Sequence, residues 1–237
     1  MFFEDWSIDY DLWGDTGAQT FAAAEAAVSA LYGGGDDDYL VGGSGTDWLF
    51  GQGGDDQLIG GAGGDLIYGN QGADTVWGGI DGDTIYGGQA ADTLYAELGA
   101  DLAYGNKGAD YLAGGGGNDT LYGGQGDDSM LGEAGADEIW GNRGDDTLRG
   151  GDGADTFGFG GSFGDDRIAD FEMSADKLNL SGAVTVTADG GSAVLTLGGQ
   201  TVTLTGIAAA NVTTSLFSDP AAVTLTLDLE EESDGGY

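Results

Sequence analysis

The sequence contains no cysteine and no histidine, and only one proline among its 237 residues. Without cysteine there is no disulfide and no thiolate metal site. Without histidine, neither an H-E-x-x-H zinc protease site nor a Ser-His-Asp triad can be built. We therefore expect a protein that is not an enzyme.

Positive charge is also scarce, with 5 basic residues against 42 acidic ones and a net charge of −37. The first basic residue is Lys107. A compact chain of this charge repels itself unless cations neutralise it. Nucleic acid is not an expected partner, because no basic patch can displace counterions from phosphates. Anionic membrane surfaces are disfavoured for the same reason.

No apolar run approaches the roughly 20 residues that a membrane span requires, so we expect no span. Residues 1–10 carry acids instead of a positively charged stretch, and a cleaved N-terminal secretion signal is not expected.

What the sequence has in abundance is a nine-residue repeat, which runs through 14 blocks from residue 33 to residue 158 without insertion. Position one is Gly in every block except that of Ala96, position four is mostly Gly, and position eight is always apolar. Position six is always aspartate: Asp38, Asp47, Asp56, Asp65, Asp74, Asp83, Asp92, Asp101, Asp110, Asp119, Asp128, Asp137, Asp146 and Asp155. A second register of 36 residues relates GNQGADTVW (69–77), GNKGADYLA (105–113) and GNRGDDTLR (141–149). Units of four blocks therefore look duplicated.

Each block reads as a turn followed by a short strand. Glycine at positions one and four permits positive φ, and positions seven to nine are rich in strand-forming residues. Side chains alternate along a strand, so position eight points inward and positions seven and nine point outward. One block cannot bury its apolar residue alone, so blocks must stack. Two blocks per turn give seven turns and a length of about 34 Å.

Stacking places the aspartates in a row along each edge. Calcium takes roughly 6–8 oxygen ligands from carboxylates and carbonyls, and it fits such a row better than magnesium. If each ion needs two loops one turn apart, about 12 internal Ca²⁺ sites are possible. The weakest are expected in the blocks that contain Asp36, Asp81, Ala90 or Ala96.

The pattern G-G-x-G-x-D-x-U-x, in which U is a large apolar residue, resembles the repeat of the RTX, or hemolysin-type, calcium-binding family. The resemblance implies a right-handed parallel β-roll with calcium between its loops. It implies that the position-six aspartates are the side-chain ligands, and our interpretation adds carbonyls of positions two and four. It also implies export by type I secretion machinery through an uncleaved C-terminal signal.

We divide the chain into an N-terminal segment (1–32), the roll (33–169) and a C-terminal β cap with a secretion signal and acidic tail (170–237). After a two-residue insertion, GSFGDDRIA (161–169) fits the repeat again, with Asp166 at position six as a further ligand. The stretches DDRIADF (165–171) and ADKLNLS (175–181) resemble the segment that closes the roll in serralysin-type domains. Residues 184–207 alternate apolar and polar, which predicts two or three antiparallel strands. Residues 19–32 have a helical composition and predict a helical cap.

Position nine of alternate blocks forms an aromatic strip: Phe50, Tyr68, Tyr86, Tyr104, Tyr122 and Trp140. It could bind a glycan, another copy or a surface, or it could only stiffen the sheet; we favour the latter. The overall prediction is a secreted, extracellular or cell-surface protein that folds on binding calcium and serves as a structural or adhesive element. The alternatives are a carrier module for type I secretion and folding of a separate partner, and a calcium-dependent glycan-binding module.

Overall fold

The computed structural model describes residues 11–13, 17, 20–22 and 30–228. It is an all-β parallel roll with two sheets. The first sheet contains, in spatial order, β1 (Asp11–Trp13), β3 (Ala30–Gly34), β5 (Trp48–Gly53), β7 (Leu66–Gln71), β9 (Thr84–Gln89), β11 (Leu102–Lys107), β13 (Thr120–Gln125), β15 (Glu138–Arg143), β17 (Thr156–Gly158) and β19 (Lys177–Asn179).

The second sheet faces the first across the core. It contains β2 (Thr20–Ala22), β4 (Tyr39–Ser44), β6 (Gln57–Ala62), β8 (Thr75–Ile80), β10 (Thr93–Leu98), β12 (Tyr111–Gly116), β14 (Ser129–Gly135), β16 (Thr147–Gly153), β18 (Asp165–Ile168), β22 (Gln200–Leu204), β21 (Ser192–Leu197), β20 (Gly182–Asp189) and β23 (Val223–Leu227). Three short 3₁₀ helices, Ala209–Asn211, Thr214–Leu216 and Pro220–Ala222, precede the last strand.

Consecutive strands of the repeat alternate between the two sheets, and each pairs in parallel with the strand two blocks later. Leu49 pairs with Ile67, for example, and Leu58 pairs with Val76. Each turn of the roll therefore uses two blocks, as the sequence predicts.

The strands are longer than the sequence predicts, because they continue through positions one to three of the next block. In β13, Leu121 and Gly123 face inward, whereas Thr120 and Tyr122 are only half-buried. Side chains thus alternate between the inner and outer faces along the whole strand, and position one, like position eight, faces inward. Every position-eight side chain from Leu40 to Phe157 is at most 1% exposed.

Truncating one of these core side chains should cost substantial stability. We expect Leu121→Ala to lower the free energy of unfolding of the calcium-loaded protein by about 2–5 kcal/mol, because it leaves a cavity between neighbouring turns. The neighbouring outward residue gives a matched control, since Thr120→Ala should cost less than about 1 kcal/mol. Denaturant titrations of both variants in calcium measure the difference, and equal costs would contradict the assignment of position eight to the core.

The C-terminal end of the roll has the β cap that the sequence predicts. Strands β20, β21 and β22 pair antiparallel, and β22 continues the second sheet by pairing in parallel with β18. Phe157, Phe171 and Phe217 are among the buried residues beneath this end. The cap thus closes the core and extends the sheet at once.

The prediction of an N-terminal helix over residues 19–32 is wrong where the structure describes them. Thr20–Ala22 and Ala30–Gly34 are strands that pair with β4 and β5, while residues 23–29 lie outside the described residues. The parallel ladders therefore begin before residue 33. In these two described segments, pairing with a neighbouring strand outweighs the weak helix preference of the local sequence.

In the part of the chain that the structure describes, no helix is long and apolar enough to cross a membrane.

Candidate metal centre

The position-six aspartates lie in two internal rows, one at each edge of the roll. All of them are buried, at no more than 4% exposure. The first row contains Asp38, Asp56, Asp74, Asp92, Asp110, Asp128, Asp146 and Asp166; the second contains Asp47, Asp65, Asp83, Asp101, Asp119, Asp137 and Asp155. The sequence predicts these residues along the edges, and the structure turns their carboxylates inward.

A ladder of hydrogen bonds joins the carboxylates within each row. The backbone N–H of Asp74 donates to Oδ1 of Asp92 at 2.8 Å, and the N–H of Asp92 donates to Oδ1 of Asp110 at 2.8 Å. In the second row, the N–H of Asp83 donates to Oδ1 of Asp101 at 2.7 Å. From Asp56 onward, one oxygen of each carboxylate therefore accepts a hydrogen bond from the loop of the preceding turn.

The other oxygen has no such role. From Asp56 to Asp166, Oδ2 of each position-six aspartate is buried and has no hydrogen-bond partner among the described residues. A buried charged oxygen without a partner is costly. No group of three or more acidic side chains in the described residues comes together to hold a metal ion. A cation here would therefore need backbone carbonyls besides one or two carboxylates.

Burial raises the pKa of these carboxylates, because it disfavours their charged form. Desolvation raises the pKa of Asp65 to about 7 and that of Asp92 to about 8, although a backbone N–H donor in each case opposes the rise. Neighbouring carboxylates of the same row, Asp47 beside Asp65 and Asp74 and Asp110 beside Asp92, also contribute to these raised pKa values. A bound divalent cation would reverse this balance, because it stabilises the charged form.

Carbonyl oxygens lie beside the unpartnered carboxylate oxygens. A Cβ built on Gly114 would lie 2.6 Å from Oδ2 of Asp119 and 2.8 Å from the carbonyl oxygen of Gly132. The same arrangement recurs at Gly78, with Asp83 Oδ2 at 2.5 Å and the Ala96 carbonyl at 2.7 Å. Position-one carbonyl oxygens thus lie near these carboxylates, a position that our interpretation of the sequence did not include. Hard carboxylate and carbonyl oxygens with unmet charge fit calcium.

Glycine is preferred at position one because a Cβ there would collide with the aspartate carboxylate and a carbonyl oxygen. The sequence pattern predicts positive φ at this position, but the glycines of the 14 uninterrupted blocks do not have it. We expect Gly114→Ala to push the Asp119 carboxylate away and to lower stability in calcium by about 1–3 kcal/mol, because the added methyl overpacks this space. The reverse change, Ala96→Gly, should be neutral or stabilising. Calcium titrations of the two variants followed by thermal unfolding measure both effects. The steric assignment fails if Gly114→Ala leaves the calcium midpoint and the Tm unchanged.

Positive φ is instead found at positions two and four. Asn70, Asn106 and Asn142 at position two have φ of 82°, 74° and 73°. Asp81 and Ala90, which replace the usual glycine at position four, both have φ of 78°. The carbonyl oxygen of Asn70 points at the paired residue of the next turn, Gly88, where an added Cβ would collide with it. Non-glycine residues at positions two and four therefore adopt the same backbone conformation as glycine, and the loop keeps its fold.

One buried aspartate is not predicted by the repeat. Asp176 is 2% exposed and ends the second row, since its Oδ1 accepts the N–H of Asp155 at 3.0 Å. Its Oδ2 accepts the N–H of Glu172 at 2.7 Å, so both of its oxygens are satisfied within the chain. The run Asp176-Lys177-Leu178-Asn179 carries the D-x-U-x half of the repeat, which could have revealed it.

The paired acids of the repeat do not form a catalytic pair. Asp128 is buried, whereas Asp127 is exposed and accepts the N–H of Asp145 at 2.9 Å. The two neighbouring carboxylates therefore do not face one substrate.

The aromatic strip is a stacked ladder that begins one turn earlier than the sequence pattern predicts, at Tyr32. Ring centroids of Tyr68 and Tyr86 are 4.6 Å apart with an interplanar angle of 5°, and those of Tyr86 and Tyr104 are 4.9 Å apart at 3°. Each ring covers the face of the next, so the ladder presents mainly ring edges and hydroxyl groups outward. This geometry stiffens the first sheet and removes the ring faces on which a sugar would stack.

Fold and site together define a calcium-binding β-roll. A family model described as RTX calcium-binding nonapeptide repeat matches residues 32–67, 50–85, 68–103, 95–130, 104–139, 122–157 and 131–168, which is more than half of the chain. The chain belongs to this family.

Among solved structures, the extracellular lipase LipA from Serratia marcescens is similar, with 16% identity, a TM-score of 0.30, and coverage of 86% of this chain and 45% of the lipase. This chain thus spans less than half of the lipase. No curated protein matches the sequence.

Proposed function

We propose that this chain is a secreted, non-enzymatic protein that folds on binding calcium outside the cell and then serves as a structural or surface element. The observation that carries the proposal is the pair of rows of buried carboxylates. From Asp56 to Asp166, each has one oxygen bonded along the row and one without a partner among the described residues. The position-six aspartates are the proposed side-chain ligands, with carbonyls of the glycine-rich loops completing each site.

The calcium concentration would control whether the chain is folded. Where calcium is scarce, repulsion within a chain of charge −37 and the burial of so many carboxylates both oppose folding. An unfolded chain can pass a type I secretion channel. Where calcium is abundant, it binds the folded form and drives folding by mass action.

A structural role is favoured over catalysis because, in the described residues, buried carboxylates line both edges and stacked apolar rows fill the core. The stacked aromatic ladder adds stiffness along the same axis. The resulting rod-like unit suits a surface layer or matrix.

The structural role is tested by adding calcium to purified chelator-treated protein and following its mass by analytical ultracentrifugation, with electron microscopy of the product. Ordered particles or filaments that dissolve in chelator are expected. A roll that stays strictly monomeric at all calcium concentrations would overturn the structural role in favour of a carrier module, while calcium-dependent folding would still hold.

A further inference from the structure

Two open grooves lie side by side on the outer surface of the first sheet, next to the aromatic ladder. Their volumes are about 380 Å³ and 470 Å³. The smaller is lined mainly by Tyr68, Asn70, Gln71, Tyr86, Gln89, Asn106 and Lys107, and the larger mainly by Tyr104, Asn106, Tyr122, Gln125, Asn142 and Arg143.

The 36-residue register of the sequence gives the two grooves matching strand residues, although Gly160, Gly161 and Ser162 also line the larger one. In the smaller groove, Gly88 pairs with Asn70 on one side and with Asn106 on the other. In the larger one, Gly124 pairs with Asn106 and Asn142. Each groove is therefore the gap above a glycine between two asparagines. Equivalent groups recur every two turns, or about 10 Å along the roll.

The groove walls offer hydrogen-bonding groups in fixed positions. The Nδ2 atoms of Asn70, Asn106 and Asn142 donate to carbonyl oxygens of their own strands at 3.3, 3.4 and 3.1 Å. Each asparagine is thereby oriented and keeps Oδ1 as an acceptor. Tyrosine and glutamine side chains also line each groove.

Each groove also has one cation. Lys107 and Arg143 are two of only five basic residues in the chain, and both are exposed at position three of the repeat. The other members of this row from Gln71 to Gln125 are glutamines. A positive charge in each of two matched grooves, on an otherwise acidic protein, indicates a ligand that carries a negative charge at the same interval.

We propose that these two grooves bind a linear acidic polysaccharide, in which a carboxylate on alternate sugars meets Lys107 and Arg143 and sugar hydroxyls donate to the asparagine Oδ1 atoms. A polymer fits better than a small molecule because the grooves are open and repeat along one axis. Recognition is through sugar edges, since the tyrosine ring faces cover one another. The inference rests on the proposed calcium-folded roll, because the register between turns builds the grooves.

Binding is measured by isothermal titration calorimetry with short hyaluronan oligosaccharides, which carry one carboxylate per disaccharide, added to the calcium-loaded protein. The double variant Lys107→Gln/Arg143→Gln should bind at least about tenfold more weakly, because two charge-assisted contacts are lost. Glutamine already occupies this row, so the variant should fold. The matched control Arg149→Gln removes a cation from the second sheet and should leave affinity unchanged.

Asn106→Gly tests the shared wall, because Asn106 lines both grooves and glycine occupies the equivalent position on both neighbouring strands. It should also weaken binding. Circular dichroism in calcium is recorded first for every protein. A chain that does not fold in calcium contradicts the proposed function, whereas a folded chain that binds no hyaluronan, or binds it equally well in all variants, overturns the groove assignment alone.

Discussion

A variant in which Asp74, Asp92, Asp110 and Asp128 are all replaced by asparagine should be more folded than the parent in chelator and less responsive to calcium. These four residues are consecutive members of the first row. Asparagine keeps the Oδ1 acceptor for the backbone N–H and removes the buried charge. In chelator the row therefore loses its desolvation cost and its repulsion. In calcium it loses charged ligands, and the folding midpoint should move to at least about tenfold higher calcium.

The chain offers a control with the same change in charge. Asp37, Asp55, Asp127 and Asp145 are exposed residues on the same edge of the roll. Replacing them by asparagine should change both the chelator state and the calcium midpoint only slightly, because exposed charges are solvated and screened. Circular dichroism during calcium titration compares the two variants. If they behave alike, the buried rows contribute only general charge and the proposed ligand set is wrong.

In the absence of calcium, acid should substitute for the metal. Desolvation, with the repulsion of neighbouring carboxylates, raises the pKa of Asp56 to about 6, of Asp74 to about 7 and of Asp128 to about 8, from the usual 3.8. Groups with a raised pKa in the folded state stabilise it fully below the unfolded pKa, and this contribution is lost as pH rises through the folded pKa. The calcium-free chain should thus gain β-structure as pH falls from about 8 to about 4.

Calcium binding should show the opposite dependence on pH. Protons compete for the same carboxylates, so the calcium concentration needed for folding should rise as pH falls through that window. Circular dichroism in chelator and in calcium across the pH range measures both trends. The four-asparagine variant of the first row should show a weaker pH response in chelator. A calcium-free chain whose β-structure stays constant or decreases toward acid would contradict the buried position of the carboxylates.

Much of the roll was predictable from the sequence because a strict repeat fixes local structure and stacking at once. Aspartate at position six and an apolar residue at position eight predicted the two rows and the core, and the alternation in residues 184–207 predicted the C-terminal strands. The aspartates and the apolar residues are buried on the same side because side chains alternate along each strand, which places positions six, eight and one on the inner face.

The remainder depends on contacts between turns that one block does not contain. The steric role of Gly114 arises from Asp119 and from Gly132 one turn later. Asp176 lies outside the regular spacing, because 21 residues separate it from Asp155 where the repeat has 18. The strands at Thr20–Ala22 and Ala30–Gly34 lack the glycine–aspartate pattern, and only their pairing with the next turn reveals them. The ligand role of the aspartates stays a prediction.

The central claim is that calcium folds this chain, and the most direct measurement is far-UV circular dichroism of the full chain at neutral pH, first in chelator and then across a calcium titration. We predict a disordered spectrum in chelator and a cooperative change to β-structure as calcium is added, reversed by further chelator and not reproduced by equal magnesium. A chain with the same β-structure in chelator as in calcium would contradict it.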